Sequence, residues 1–147
     1  WLACEGVDHL FHLEQDFVLT AAPPLDAMRR VLLDNPNVAQ LVLRRQAWGP
    51  EGPHGFIGDN PNAYRHRYAM TDINDTQQWL EHREIFSLNP CLLPSWVIKH
   101  GWPDTNEAGM TAELLADPTV TFGVWGGLND PPVVEHIGVE RSKAWQA

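Results

Sequence analysis

Two acids one residue apart, Glu14 and Asp16, close an apolar stretch that begins at His9 and runs His-Leu-Phe-His-Leu. In an extended chain residues i and i+2 point to the same side. The two carboxylates are therefore expected to face one small volume where a strand runs out. Hard oxygen ligands of this kind suit Mg²⁺ or Mn²⁺, and ligands of open α/β sheets collect beyond the carboxyl ends of strands. An acid-x-acid triplet is also how a solvated loop begins, and the apolar run in front is what favours a site. A third acid, Glu107, sits in Thr105-Asn106-Glu107-Ala108-Gly109, at the start of an expected helix. The helix dipole stabilises a carboxylate there by roughly 0.3–1 kcal/mol, so Glu107 reads as a capping acid or as a general base aimed at a cleft. His136, in Val134-Glu135-His136-Ile137-Gly138, is either a structural histidine or a late-chain metal ligand. Arg44, Arg45 and Trp48 follow a second apolar run. Planar guanidinium groups pair well with phosphate; the plain alternative is surface charge.

The elements that must position these groups follow from the apolar pattern. Asp8 to Leu13 reads as the first strand, and Phe17 to Ala22 is short and apolar. Pro23-Pro24 open a helix through about Asp34, proline being tolerated in a first helical turn, with Leu25, Met28, Leu32 and Leu33 on one face. Val38 to Leu43 is a near-continuous apolar strand suited to a sheet covered on both faces. From Trp48 to Asn62 the chain is rich in Gly, Pro, Asn and Asp, which predicts a long loop. Tyr64 to Met70 is expected as an edge strand or hairpin arm, a short helix around Gln77 to Leu80, and a strand over Glu84 to Leu88. Helices over Pro94 to His100 and Glu107 to Ala116 follow, the second capped by Thr105 or Asn106. Strands over Thr119 to Trp125 and Val133 to Ile137 end the reading. The order implies a single α/β domain with a mixed sheet.

Composition narrows the classes of function. A chain of 147 residues can bury a real core, and a formal net charge of -9 argues against a nucleic-acid polymer as partner. A divalent cation could still supply the positive charge a nucleotide substrate needs. No run approaches the roughly 20 apolar residues of a membrane span. Cys4 and Cys91 form no Cys-x-x-Cys pair, which excludes zinc-ribbon and thioredoxin readings and leaves a reducing compartment as the default. The chain opens on Trp1 rather than Met, as a processed product or a fragment would, and a removed signal peptide fits the same start. Seven Trp is high for this length; Trp on loops beside polar groups is one way to hold sugar rings, and filling the core is the other.

Taken together, a strand ending in acidic-x-Asp, an inner apolar strand, an acid at a helix start after a Trp loop, and a late His resemble the GT-A glycosyltransferases, especially family-2-like members. The string Phe11-His12-Leu13-Glu14-Gln15-Asp16-Phe17 is similar to the Leu-Glu-Asp-Asp-Phe form of their metal motif. Phe86-Ser87-Leu88-Asn89-Pro90, Trp125-Gly126-Gly127 and Glu135-His136-Ile137-Gly138 resemble a small set of such enzymes encoded by bacteriophages. The resemblance implies a Rossmann-related fold, a mixed and mainly parallel sheet flanked by helices. It implies Mn²⁺ or Mg²⁺ on Asp16 and His136, a nucleotide-sugar donor contacted by Glu14, Arg44, Arg45, Trp48, Trp102 and Trp125, and Glu107 as the base that activates an acceptor hydroxyl. The acceptor would be a glycan, a protein or a small molecule, and the setting cytoplasmic, that of the host for a phage enzyme. Two departures stand out. Gln15 replaces the acid often found between the outer two, and the βα units that bind the nucleoside in such domains have no counterpart ahead of Glu14. The chain is thus expected to be one domain or the C-terminal portion of a larger one. The expected activity is an inverting, metal-dependent sugar transfer. A non-catalytic sugar- or protein-binding module on the same fold, or a metal-dependent hydrolase, would use the same residues.

Overall fold

Val38–Leu43 is buried along its whole length, and the other strands are laid out from it. The computed structural model describes residues 6–45, 64–72, 75–102, 106–127 and 129–138, so Trp48 lies outside the described residues. In chain order the elements are β1 (His9–His12), β2 (Phe17–Leu19), α1 (Leu25–Asp34), β3 (Val38–Leu43), β4 (Arg65–Asp72) and β5 (Asp75–His82). They continue with β6 (Cys91–Pro94), α2 (Ser95–His100), α3 (Glu107–Leu115), β7 (Thr121–Trp125) and β8 (Val134–His136). Six strands form one sheet in the order β1-β6-β3-β7-β5-β4, and β2 and β8 pair separately. Among the described residues, no helix is long and apolar enough to cross a membrane.

The sheet is mixed, as expected, but mainly antiparallel rather than mainly parallel. Only β3 and β7 run parallel; β1–β6, β3–β6, β4–β5 and β5–β7 are antiparallel. Connection length accounts for one of these pairs, the β4–β5 hairpin. A parallel pair needs a crossover of a dozen residues or more, whereas antiparallel strands can turn back at once. β4 and β5 do so between Asp72 and Asp75.

Side chains alternate across the sheet and define three clusters of buried residues, two of which include helix residues. Phe122 of β7 packs with Val97 of α2 and with Met110 and Leu114 of α3. Its neighbours Trp125 and Gly123 face the other way, Trp125 packing with Met28, Val31 and Leu32 of α1, Leu41 of β3, Phe17 of β2 and Val134 of β8. The buried stripe of α1 is Ala27, Met28, Val31 and Leu32. Leu25 and Leu33, expected on that face, are exposed, as is Leu13.

Two expected elements are replaced by others. Instead of a helix near Gln77 to Leu80 there is β5, because Trp79 and Leu80 are buried on opposite faces, which only a period of two allows. Instead of a strand over Glu84 to Leu88 there is an irregular segment, with β6 starting after Pro90. Its amides are claimed by side chains. Phe86 N–H donates to Thr111 Oγ1 at 2.9 Å, Ser87 N–H to Gln40 Oε1 at 2.8 Å and Leu88 N–H to Glu107 Oε1 at 2.5 Å. Gln40 completes a clasp by donating Nε2 to the Ser87 carbonyl at 2.8 Å.

β5 also buries two ionisable residues. Glu81 accepts from Arg67 at 2.7 and 2.8 Å and from the Thr121 hydroxyl at 3.0 Å. His82 lies between the rings of Tyr64 and Phe122, with centroids 5.1 and 5.8 Å away, and its Nδ1 accepts the Glu84 N–H at 3.3 Å. Burial pushes the His82 pKa down to about 3.

Candidate metal centre and adjoining cleft

The strand that precedes the acidic triplet stops at His12. Glu14 to Phe17 is a turn, with Phe17 N–H donating to the Glu14 carbonyl at 3.2 Å. Strict alternation therefore does not reach the acids, and their nearest ionisable partners differ. Glu14 turns back toward His12, with Oε1 3.8 Å from Nε2. Asp16 turns toward β8, where its Oδ2 lies 2.9 Å from His136 Nε2 across 120 positions of sequence.

This juxtaposition is built by the two-stranded sheet. Phe17 is in register with His136, and the Ile137 N–H donates to the Asp16 carbonyl at 2.8 Å. The buried Phe17 ring lies 4.8 Å from the imidazole and anchors it. Gly138 closes over the pair: a Cβ there would sit 2.9 Å from both Asp16 Oδ2 and His136 Nε2. Both side chains keep contact with solvent, at 33% exposure for Asp16 and 28% for His136.

The two atoms stand at hydrogen-bond distance, a spacing close to that of adjacent ligands on a small divalent ion. Neighbouring ligands of an octahedral Mg²⁺ with bonds of about 2.1 Å stand about 3.0 Å apart, against 2.9 Å observed. Among the described residues no cluster of three His, Cys, Asp or Glu is gathered for a metal. Two protein ligands suffice for an ion that keeps its waters and takes further oxygens from a substrate's phosphates.

The other expected site residues fall into two groups. Arg44 and Trp125 line a cleft of about 460 Å³ with Tyr68, Gln77, Gln78 and Asp130. Arg44 is 2% exposed, and its Nη2 donates to the Asp130 carbonyl. Burial lowers its pKa, with Asp130 opposing the effect. It thus braces the turn that follows β7 more than it offers a fork to a phosphate. Arg45, next to it, is half-buried. Val133, on the cleft wall, leads directly into β8 and His136.

Glu107 and Trp102 belong to the other layer. Asn106 caps α3, its Oδ1 accepting from Ala108 and Gly109 at 3.1 and 3.3 Å. Glu107, in the first turn, gives its carboxylate to Leu88 N–H. Trp102 is exposed, its ring 5.8 Å from Phe86. These residues pack with the α2–α3 core, while β2 and β8 pack with the α1 core. The Cys91 thiol, pushed up to about 12 chiefly by burial, is raised further by the Glu14 and Glu107 carboxylates.

Sequence reading missed Asp130, whose Oδ2 accepts Gly127 N–H at 2.7 Å and so shapes the turn. Gly126 in that turn has φ +92, open to glycine alone at low cost. The signal was the Gly-Gly, then Asp130-Pro131, directly after a strand. No protein family, curated protein or solved structure compared with the chain matches it.

Proposed function

We propose that the chain is a metal-dependent glycosyltransferase, moving a sugar from a nucleotide-sugar donor to an acceptor hydroxyl with inversion: the acceptor oxygen bonds the anomeric carbon as the bond to the diphosphate breaks, and the hydroxyl proton passes to solvent. The observation that carries this reading is the meeting of Asp16 and His136 at 2.9 Å. The GT-A resemblance implies Asp16 as a metal ligand and His136 as a metal or diphosphate ligand, from separate ends of the sequence. Asp16 and His136 would hold Mn²⁺ or Mg²⁺, and the ion, when bound, supplies Lewis-acid charge neutralisation for a departing diphosphate. The Ile137 N–H bond and the Phe17 ring fix the two ligands before any ion arrives. Glu107 is assigned to holding the segment Phe86 to Leu88, since its carboxylate already accepts an amide proton there.

The test is Mn²⁺ titration followed by electron paramagnetic resonance, then turnover of nucleotide-sugars with and without acceptor. Asp16→Asn keeps the size of the side chain and its hydrogen bond to His136, so the fold should survive while Mn²⁺ affinity falls. Equal Mn²⁺ affinity in wild type and variant overturns the reading. Turnover that ignores the acceptor identifies a hydrolase instead.

A further inference from the structure

Among the described residues β4 ends the six-stranded order, and no strand lies beyond it. Which of its backbone groups are left over follows from β5. Gly126 N–H donates to the Gln78 carbonyl, so Gln78 points its backbone groups at β7. Neighbouring residues of a strand point theirs to opposite sides, so Gln77, Trp79 and Glu81 serve β4. Their register partners are Ala69, Arg67 and Arg65. His66, Tyr68 and Met70 therefore turn N–H and C=O away from the sheet.

The side chains at those positions are exposed as well. Tyr68 at 71% and Met70 at 60% are the two most exposed large apolar residues among the described ones. Residues i and i+2 share a face, so both lie on the face of His66, which bonds to Gln78 there. An open edge of eight residues with apolar side chains and no proline is a template for another strand.

We infer that the occupant is a second copy of this chain, joined antiparallel through β4 across a two-fold axis at Tyr68. The three outward-facing residues are centred on Tyr68, so this register pairs every one of them: His66 with the partner's Met70, and Tyr68 with the partner's Tyr68. It also stops short of the irregularity between Met70 and Asp72. An aromatic pair facing across strands adds to such a ladder. Charge favours the same occupant. Arg65 and His66 begin the strand, while Asp72 and Asp75 stand in register at its turn end. An antiparallel copy lays each basic end along the other's acidic end. Arg67 stands diagonal to its own copy, but Glu81 already holds it at 2.7 Å. An isologous contact of this kind closes at two chains and leaves neither β4 edge open.

The experiment is sedimentation of the full chain from micromolar to millimolar concentration, with amide exchange followed over the same range. The mass should rise to that of two chains, and exchange at Tyr68 and Met70 should slow as it does. Tyr68→Pro removes an N–H that β5 does not use, so the chain should still fold while the dimer weakens roughly tenfold or more. Met70→Lys leaves the backbone intact and should weaken the dimer comparably, lysine being a residue that blunts sheet edges. Leu33→Lys, at an exposed position of α1, should leave it unchanged. The mass of one chain throughout overturns the inference, as does a dimer that survives both β4 variants or is lost with Leu33→Lys. Fast exchange at Tyr68 within a two-chain species places the contact elsewhere and overturns it too.

Discussion

His82 sets a limit on how acid the medium can become before the sheet loosens. Its pKa falls from 6.5 to about 3 in the folded chain, through burial, so the unfolded chain takes up the proton first. Stability from this group is therefore complete above the unfolded pKa and is lost as pH falls through 6.5 toward 3. At pH 4.5 the group lies about two units below its unfolded pKa and is still neutral when folded. At about 1.4 kcal/mol per unit, the loss from this one group is roughly 3 kcal/mol. That is a large share of the roughly 5–15 kcal/mol that holds a domain together. The assay is urea unfolding of wild type and His82→Phe at pH 7.5 and 4.5. The phenyl ring keeps the contacts with Tyr64 and Phe122 but gives up the Glu84 N–H, at about 1 kcal/mol. Wild type should be the more stable at pH 7.5 and should lose roughly 3 kcal/mol more than the variant on moving to pH 4.5. Parallel losses in the two proteins would refute the account, since the acid sensitivity would then lie elsewhere.

Glu107→Gln should lower stability by about 1 kcal/mol, because a neutral amide oxygen accepts the Leu88 N–H less strongly than a carboxylate does. Turnover should stay within a few-fold; a drop of roughly 10²–10⁴ with unchanged unfolding would restore Glu107 as the general base. Gly123→Ala should cost roughly 1–3 kcal/mol in urea unfolding, since a Cβ there would lie 2.6 Å from Leu41 Cδ1 and 3.2 Å from the Trp79 ring. An unchanged midpoint would mean that β3 and β5 can part at that point without penalty.

The parts legible in the sequence were those with strong local pattern. β3 was readable from its apolar run and α3 from Asn106 and the acid after it, because burial on two faces and capping leave direct marks on composition. Strand direction was not, because pairing depends on where the chain returns, which apolar pattern does not encode. β5 was missed because its polar half and its buried Glu81 and His82 hide the alternation that Trp79 and Leu80 carry. The irregular segment at Phe86 to Leu88 looked like a strand because its residue types suit one; its amides find partners on β3 and α3, which are distant in sequence. Asp16 and His136 were singled out individually, but their contact is a product of β2–β8 pairing. Arg44 was read as a phosphate ligand because residue type carries no mark of burial.

β2 and β8 are joined over three residue pairs and, among the described residues, have no further strand beside them. So short a pairing is a low-stability unit, and such units open locally without global unfolding. Each opening would carry Asp16 and His136 apart together. An ion held by both residues would then act as a crosslink between distant points of the chain, and its rate of release would follow the breathing of this small sheet. Amide exchange at Val18 and Ile137 would slow as the ion concentration rises, while exchange in β3 stays unmoved. Occupancy of the centre could thus be read from the backbone alone, with no substrate present.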